Sequence, residues 1–213
     1  MTTTTTLRLF DELAASERES LTNSFDQRHD TIASTNEVIL ATASECRQRG
    51  WKTHEGIWNP CLFLNTVAYD LSHLVFDLAY EEDTWKRGLC ARHLATLLFE
   101  IAEDMPQVFG KRFNQSIETL NVPQELRENF RSRMKGVSRF WQDHRAELKD
   151  VRTVCGAHRD HDALTMLRAI SDIDLVQILR LGISLGTMLN ELGSEAQAIL
   201  TNTSATRPPE QDN

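Results

Sequence analysis

Leu175-Val-Gln-Ile-Leu-Arg-Leu-Gly-Ile-Ser-Leu-Gly-Thr-Met-Leu-Asn-Glu-Leu192 is the stretch that decides the fold. Leu175, Ile178, Leu179, Leu181, Leu185, Met188, Leu189 and Leu192 recur at the three- and four-residue spacing of one helix face, so the pattern predicts a helix from about 172 to 200. Ser171 or Asp172 is the expected cap. Gly182 and Gly186 lie four apart on one side. Each lowers helix propensity, and together they allow a neighbouring helix to approach closely.

Working back along the chain, the same periodicity recurs three more times. Leu64, Val67, Leu71, Leu74, Val75 and Leu78 predict a helix over 60–80, opened by Asn59-Pro60 because a first-turn proline loses no needed donor. Trp51 and Trp58 then fall in a loop that plugs the end of the bundle. Glu81-Glu-Asp83 breaks the pattern and favours the start of a second helix over 84–109, ended by Gly110. Asn121-Val-Pro-Gln-Glu reads as the cap of a third, over 123–155, whose apolar positions are sparse. Residues 162–170 form a short helix before the last. From Leu7 to Arg49 helical spacing continues with a polar break near 23–30, predicting an N-terminal pair of helices or one bent one, with Gly50 as the stop.

No alternating run long enough for a sheet occurs. The expected fold is all-α: an antiparallel bundle of four core helices with the N-terminal helical pair alongside, in one domain over 7–200. The threonine tract within 1–6 and the polar tail over 201–213 are too poor in apolar residues to offset ordering entropy, and both are expected to fray.

The chain has 213 residues and a formal charge of −8, which disfavours wholesale coating of nucleic acid or an anionic membrane. Between Arg127 and His161, however, nine Lys and Arg stand against five Asp and Glu. The neutral account of that island is a solvated face laced with intrahelical ion pairs. The four cysteines (46, 61, 90 and 155) lack any C-x-x-C pairing and read as reduced core residues. No apolar run reaches the roughly 20 residues of a spanning helix, and the start of the chain lacks signal-peptide features, so a cytoplasmic location and no membrane partner are expected.

Three groups of residues carry candidate chemistry. The first is Arg152-Thr-Val-Cys-Gly-Ala-His158. An arginine forks onto phosphate oxygens and a histidine exchanges a proton near neutral pH, a set sufficient to bind RNA or a nucleotide and for metal-free cleavage of RNA. Six residues on an unbroken helix amount to roughly 240° of rotation, so the two converge only if Gly156 breaks the helix. Lys149, Arg145, Thr153, Arg159 and His161 surround the pair as candidate substrate contacts.

The second is metal ligation by Cys155, His158 and His161, with Asp160 and Asp162 beside them and Asp70-x-x-His73 and Glu100 on other helices. A di-iron bundle needs two Glu-x-x-His copies; one is present, with Asp for Glu, and no metal ligand is assigned. The third is His93 with Glu100, two turns apart on one face, read as a buried polar pair.

The arrangement of Arg152 and His158 near the junction of a third and fourth helix resembles the motif of HEPN domains, many of which are similar to toxin or defence ribonucleases. The resemblance spans about residues 60–200 by helix order and only Arg152 and His158 by motif. It implies that His158 is the acid–base residue, that Arg152 steadies the phosphorane, that the groove forms between two copies in a homodimer, and that no cofactor is needed. One departure is Thr153, where that family has Asn, Asp or His, which implies a ligand-binding or inactive relative as the alternative. Two other readings stand beside it: a helical adaptor that docks a protein partner, and a metal-binding bundle.

Overall fold

The computed structural model describes residues 2–155 and 163–204; His158, Arg159 and His161 lie outside the described residues, as do Asp160, Asp162 and the tail from 205. Every described element is an α-helix: α1 (Thr2–Gln48), α2 (Lys52–Tyr80), α3 (Thr84–Val108), α4 (Lys111–Thr119), α5 (Gln124–Cys155), α6 (Ala163–Ser171) and α7 (Leu175–Ser204). The all-α bundle expected from sequence is therefore the fold. Helices α2, α3, α5 and α7 alternate in direction around one core, and α1 lies along α2.

The core closes on α7, along which Ile178, Leu179, Leu185, Leu189, Leu192 and Ile199 are all essentially inaccessible. At Gly182 a Cβ would stand 2.7 Å from Val75 Cγ2 and 3.0 Å from Leu94 Cδ2, so a hydrogen atom there is what lets α2 and α3 both reach the helix. Gly186 faces Leu71 at ordinary contact distance, 3.9 Å, so only the first of the two glycines is needed for the approach.

The N-terminal pair is corrected to one helix. The polar run that reads as a break contains Phe25, which stacks on Phe76 with ring centroids 4.5 Å apart and meets His73 edge-on at 4.8 Å. Three residues earlier, Thr22 bonds the hydroxyl of Tyr80. Contacts one turn apart thus hold the helix through a stretch that lacks an apolar stripe. At 47 residues α1 is about 70 Å long against about 43 Å for α2, so it passes the end of α2 and crosses the start of α3. There Phe10 and Ala14 are buried, and Arg87 is gripped by Asp11 at 2.9 Å, by the carbonyl of Glu81 and by the ring of Phe10. The threonine tract lies within the first turns of α1.

Helix α2 also begins earlier than its proline suggests. It starts at Lys52 and runs through Pro60, turning the expected tryptophan loop into helix. An interior proline costs about 3 kcal/mol. Burial of Ile57, Pro60 and Cys61 and a shared carboxylate offset it: Glu55 accepts from Arg47 of α1 at 2.8 Å and from Arg112 of α4 at 2.6 Å. These two guanidinium hydrogen bonds hold the Glu55 carboxyl below its ordinary pKa.

The ends of the helices follow local chemistry. Gly50 (φ 70°) and Asn121 (φ 52°) adopt the left-handed conformation and close α1 and α4 in the same way, with Trp51 N–H donating to the Cys46 carbonyl at 2.8 Å and Val122 N–H to that of Ile117 at 3.0 Å. Asn121 is thus the end of α4, not the cap of α5. Asp83 caps α3 by accepting from Lys86 N–H at 2.9 Å. The cap of α7 is Asp174, which accepts from Gln177 N–H at 3.0 Å, while Ser171 is the last residue of α6. Sequence reading misses α4 altogether, because its buried side is only Phe113, Ser116 and Ile117. Phe113 reaches Phe109 and Phe130, ring centroids 4.9 and 5.0 Å away, and seats α4 across the foot of the bundle.

Two outcomes test this packing. Gly182→Val is expected to lose about 1–3 kcal/mol in urea denaturation through overpacking against Val75 and Leu94, whereas Gly136→Ala in α5, where a Cβ meets nothing within 4 Å, should gain about 0.5–1 kcal/mol. The Glu55 carboxyl titrates lower folded than unfolded, so its contribution is complete above the unfolded value of about 4.3 and is lost as pH falls through the folded one. The stability gap between the native chain and Glu55→Gln should therefore be constant from neutral pH down to about 5 and shrink below about 4 in denaturation series at stepped pH.

Candidate nucleic-acid interface

Helix α5 presents two charged edges over its last turns. Arg145, Lys149 and Arg152 follow i, i+4, i+7, and so do Asp143, Glu147 and Asp150, displaced by two residues or roughly 200° around the helix. Val137, Phe140 and Leu148 face the core between them. The outward side carries Arg131, Lys135, Arg139 and Lys149, all exposed. Among the described residues the one acid–base contact within α5 is His144 with Glu147, 3.8 Å apart and ionic only with a protonated imidazole, so the lacing of intrahelical pairs expected from a neutral solvated face is not what α5 has.

Some of these cations are committed to neighbours. Arg133 bonds Glu191 of α7 at 2.8 Å. Arg131 reaches Asn114 at 3.3 Å and Glu118 at 3.6 Å, both on α4. Arg145 lies over the ring of Trp141, 5.4 Å from its centroid. Lys135, Arg139 and Lys149 enter no described ion pair.

Arg152 sits in the last turn of α5 with its guanidinium 4.8 Å from the centre of the Phe99 ring and its Nε 3.6 Å from Glu100 Oε1. That distance is an ion pair without a hydrogen bond: Nε is buried and has no bonding partner, while 40% of the side chain stays exposed. Thr153 is exposed beside it. Of the sequence-derived set, the structure brings Arg145, Lys149, Arg152 and Thr153 to one end of α5; His158, Arg159 and His161 lie outside the described residues.

The other two candidates fare differently. His93 is exposed, as is Glu100, so the buried His–Glu pair is corrected: the seven-residue spacing puts both on the wet side of α3, and Glu100 faces Arg152 instead. Among the described residues no group of three His, Cys, Asp or Glu is placed to hold a metal. Asp70 is exposed, whereas His73 stands edge-on to the rings of Tyr69 and Phe25, at 4.5 and 4.8 Å. Among the described residues no helix is long and apolar enough to cross a membrane. Burial raises the thiol pKa of Cys61 to about 12 and also raises those of Cys46 and Cys90, so all three stay protonated at neutral pH.

Sequence reading missed Phe99 as the surface on which Arg152 rests, since an aromatic inside an apolar run carries no mark of its partner. A test separates packing from charge at this point. Glu100→Gln should change stability by less than about 1 kcal/mol, because the pair is long and half-exposed, while Arg152→Ala should cost more by uncovering Phe99; urea denaturation of both variants reads the difference. A scan against protein-family models finds no match for this chain, and searches of curated proteins and of solved structures find none either.

Proposed function

We propose that the chain binds RNA, without a metal, along the outward face of α5. The observation that carries the reading is the bias of charge on that helix: Arg131, Lys135, Arg139 and Lys149 share an exposed side, and Asp143, Glu147 and Asp150 line its other edge. From Arg131 to Lys149 the stripe runs about 27 Å, a length suited to a polymer rather than to a single nucleotide. The rest of the molecule is acidic, so repulsion by the body confines a polyanion to this face. In the same reading Arg152 and His158 are the pair that would cleave the bound strand, at the end of the stripe, with Arg145, Lys149, Thr153, Arg159 and His161 contacting the substrate. A homodimer, implied by the HEPN resemblance, would double the stripe.

An apolar patch favours a second reading, a protein-docking module. Trp85 and Leu89 on α3 and Leu164 and Leu167 on α6 are exposed, and the two helices adjoin where Gly88 faces Ile170.

Anisotropy of a labelled, mixed-sequence single-stranded RNA in EDTA tests the binding. Affinity should fall with salt along a slope of about −0.7 per phosphate neutralised, and replacing Lys135, Arg139 and Lys149 together by alanine should flatten the slope by about 2. A native chain that does not bind, or a variant with an unchanged slope, removes the RNA reading and moves the function to the patch around Trp85. Cleavage is read separately on gels: strand scission by the native chain and none by His158→Ala supports the catalytic pair, and intact RNA with both leaves binding alone.

A further inference from the structure

Away from the outward face of α5, α1 and α7 stand apart over α2 and leave a groove of about 450 Å³. Its floor is the α2 stretch from Trp58 to Ala68, one wall is α1 from Thr31 to Ile39, and the other is α7 from Leu189 to Thr201. That volume falls within the range of sites that enclose small organic molecules, about 300–1,000 Å³.

Its lining is electrically neutral. None of the eighteen residues is Asp, Glu, Lys, Arg or His, in a chain of which 25% is charged. Cys61, at the base, is buried and protonated. A charged molecule entering here would give up hydration with no counter-charge to replace it, whereas an uncharged one loses little. Besides the Trp58 indole N–H and the Cys61 thiol, its polar side-chain groups are hydroxyls and amides. Ser194 and Thr201, on the exposed rim, spend their donors on the carbonyls of Asn190 and Gln197, at 3.1 and 2.9 Å, which leaves their oxygen lone pairs as acceptors for a donor the occupant carries.

A second, independent feature is Gly193. It lies inside α7, where glycine costs about 1 kcal/mol relative to alanine, yet a Cβ there would meet nothing within 4 Å. Packing therefore does not require it, unlike Gly182 in the same helix. Its missing side chain widens the groove. The opposite wall is held in place as well: Asn65 donates to Asn36 Oδ1 at 2.9 Å and to the Ile32 carbonyl at 3.4 Å, fixing α1 to α2 at the groove's edge.

We propose that this groove binds an uncharged, mainly apolar small molecule carrying a hydroxyl or amide group, with its body against Trp58 and Leu64 and its donor toward Ser194 and Thr201. Titration of the full-length chain with N-phenyl-1-naphthylamine, a neutral aromatic amine, tests it against 8-anilinonaphthalene-1-sulfonate, which adds a sulfonate to the same rings. The neutral probe should saturate one site, with energy transfer that drops in Trp58→Phe, and the sulfonate should bind at least about tenfold more weakly. Gly193→Leu should weaken the neutral probe by about tenfold or more while helicity and melting temperature stay level or rise. Ser194→Leu, on the exposed rim, takes its place if that variant does not fold. Equal binding of both probes, equal binding by the filled variant, or no saturable binding overturns the proposal. So does a chain ending at Ser204 that binds the probe when the full-length chain does not, since the occupant is then the chain's own tail.

Discussion

One missing methyl group at Gly182 determines how the bundle can close. With hydrogen in that position, α7 lies against Val75 of α2 and Leu94 of α3 at once, and three of the four core helices meet at a single level. The buried leucines above and below are spaced by that meeting. The cost is a glycine in mid-helix, which is small beside the apolar surface removed from water on both neighbours. Farther along α7, beyond that level, Leu189 to Thr201 form one wall of the groove over α2.

Around this centre, polar groups do the fastening at the periphery. Arg87 joins the start of α3 to the early turns of α1, and Glu55 joins α1, α2 and α4 through two guanidinium groups. Arg87 is itself buried and its charge is met by Asp11 and the Glu81 carbonyl, as that of Glu55 is met by two guanidinium groups, so the desolvation penalty is offset in both, and both tie segments that apolar contact alone would leave free to slide. On α5 the arrangement is reversed. Lys135, Arg139 and Lys149 enter no described ion pair on its outer face, and it is that surplus, on an otherwise acidic molecule, on which the proposed binding of RNA rests.

How much of this was legible in the sequence depends on how densely the signal is written. Helix α7 is readable because eight apolar positions repeat over eighteen residues, and α5 because Phe130, Val137, Phe140 and Leu148 keep helical spacing although Asn121 is not its cap. The single span of α1 is not, since one phenylalanine, Phe25, carries it across a polar run and nothing local announces that Phe76 waits opposite. Pro60 misleads for a related reason: local preference argues for a helix start, and burial of Ile57 overrides it. The cations of the site were legible as a composition, and their side of the helix follows from spacing alone. The groove was illegible, because neutrality of a surface is a property of which residues meet, and α7 supplies its wall from far along the chain.

The length of α1 has a mechanical consequence. A rod fastened near one end by Arg87 and near the other by Glu55, and tied to α2 between them where Asn65 bonds Asn36 and the Ile32 carbonyl, is held at three levels along its length. Thr35 and Val38 lie at the middle level. The aperture beside them thus has a wall pinned at its own level as well as toward both ends of the helix, as the fixed jaw of a vice is bolted along its whole bed.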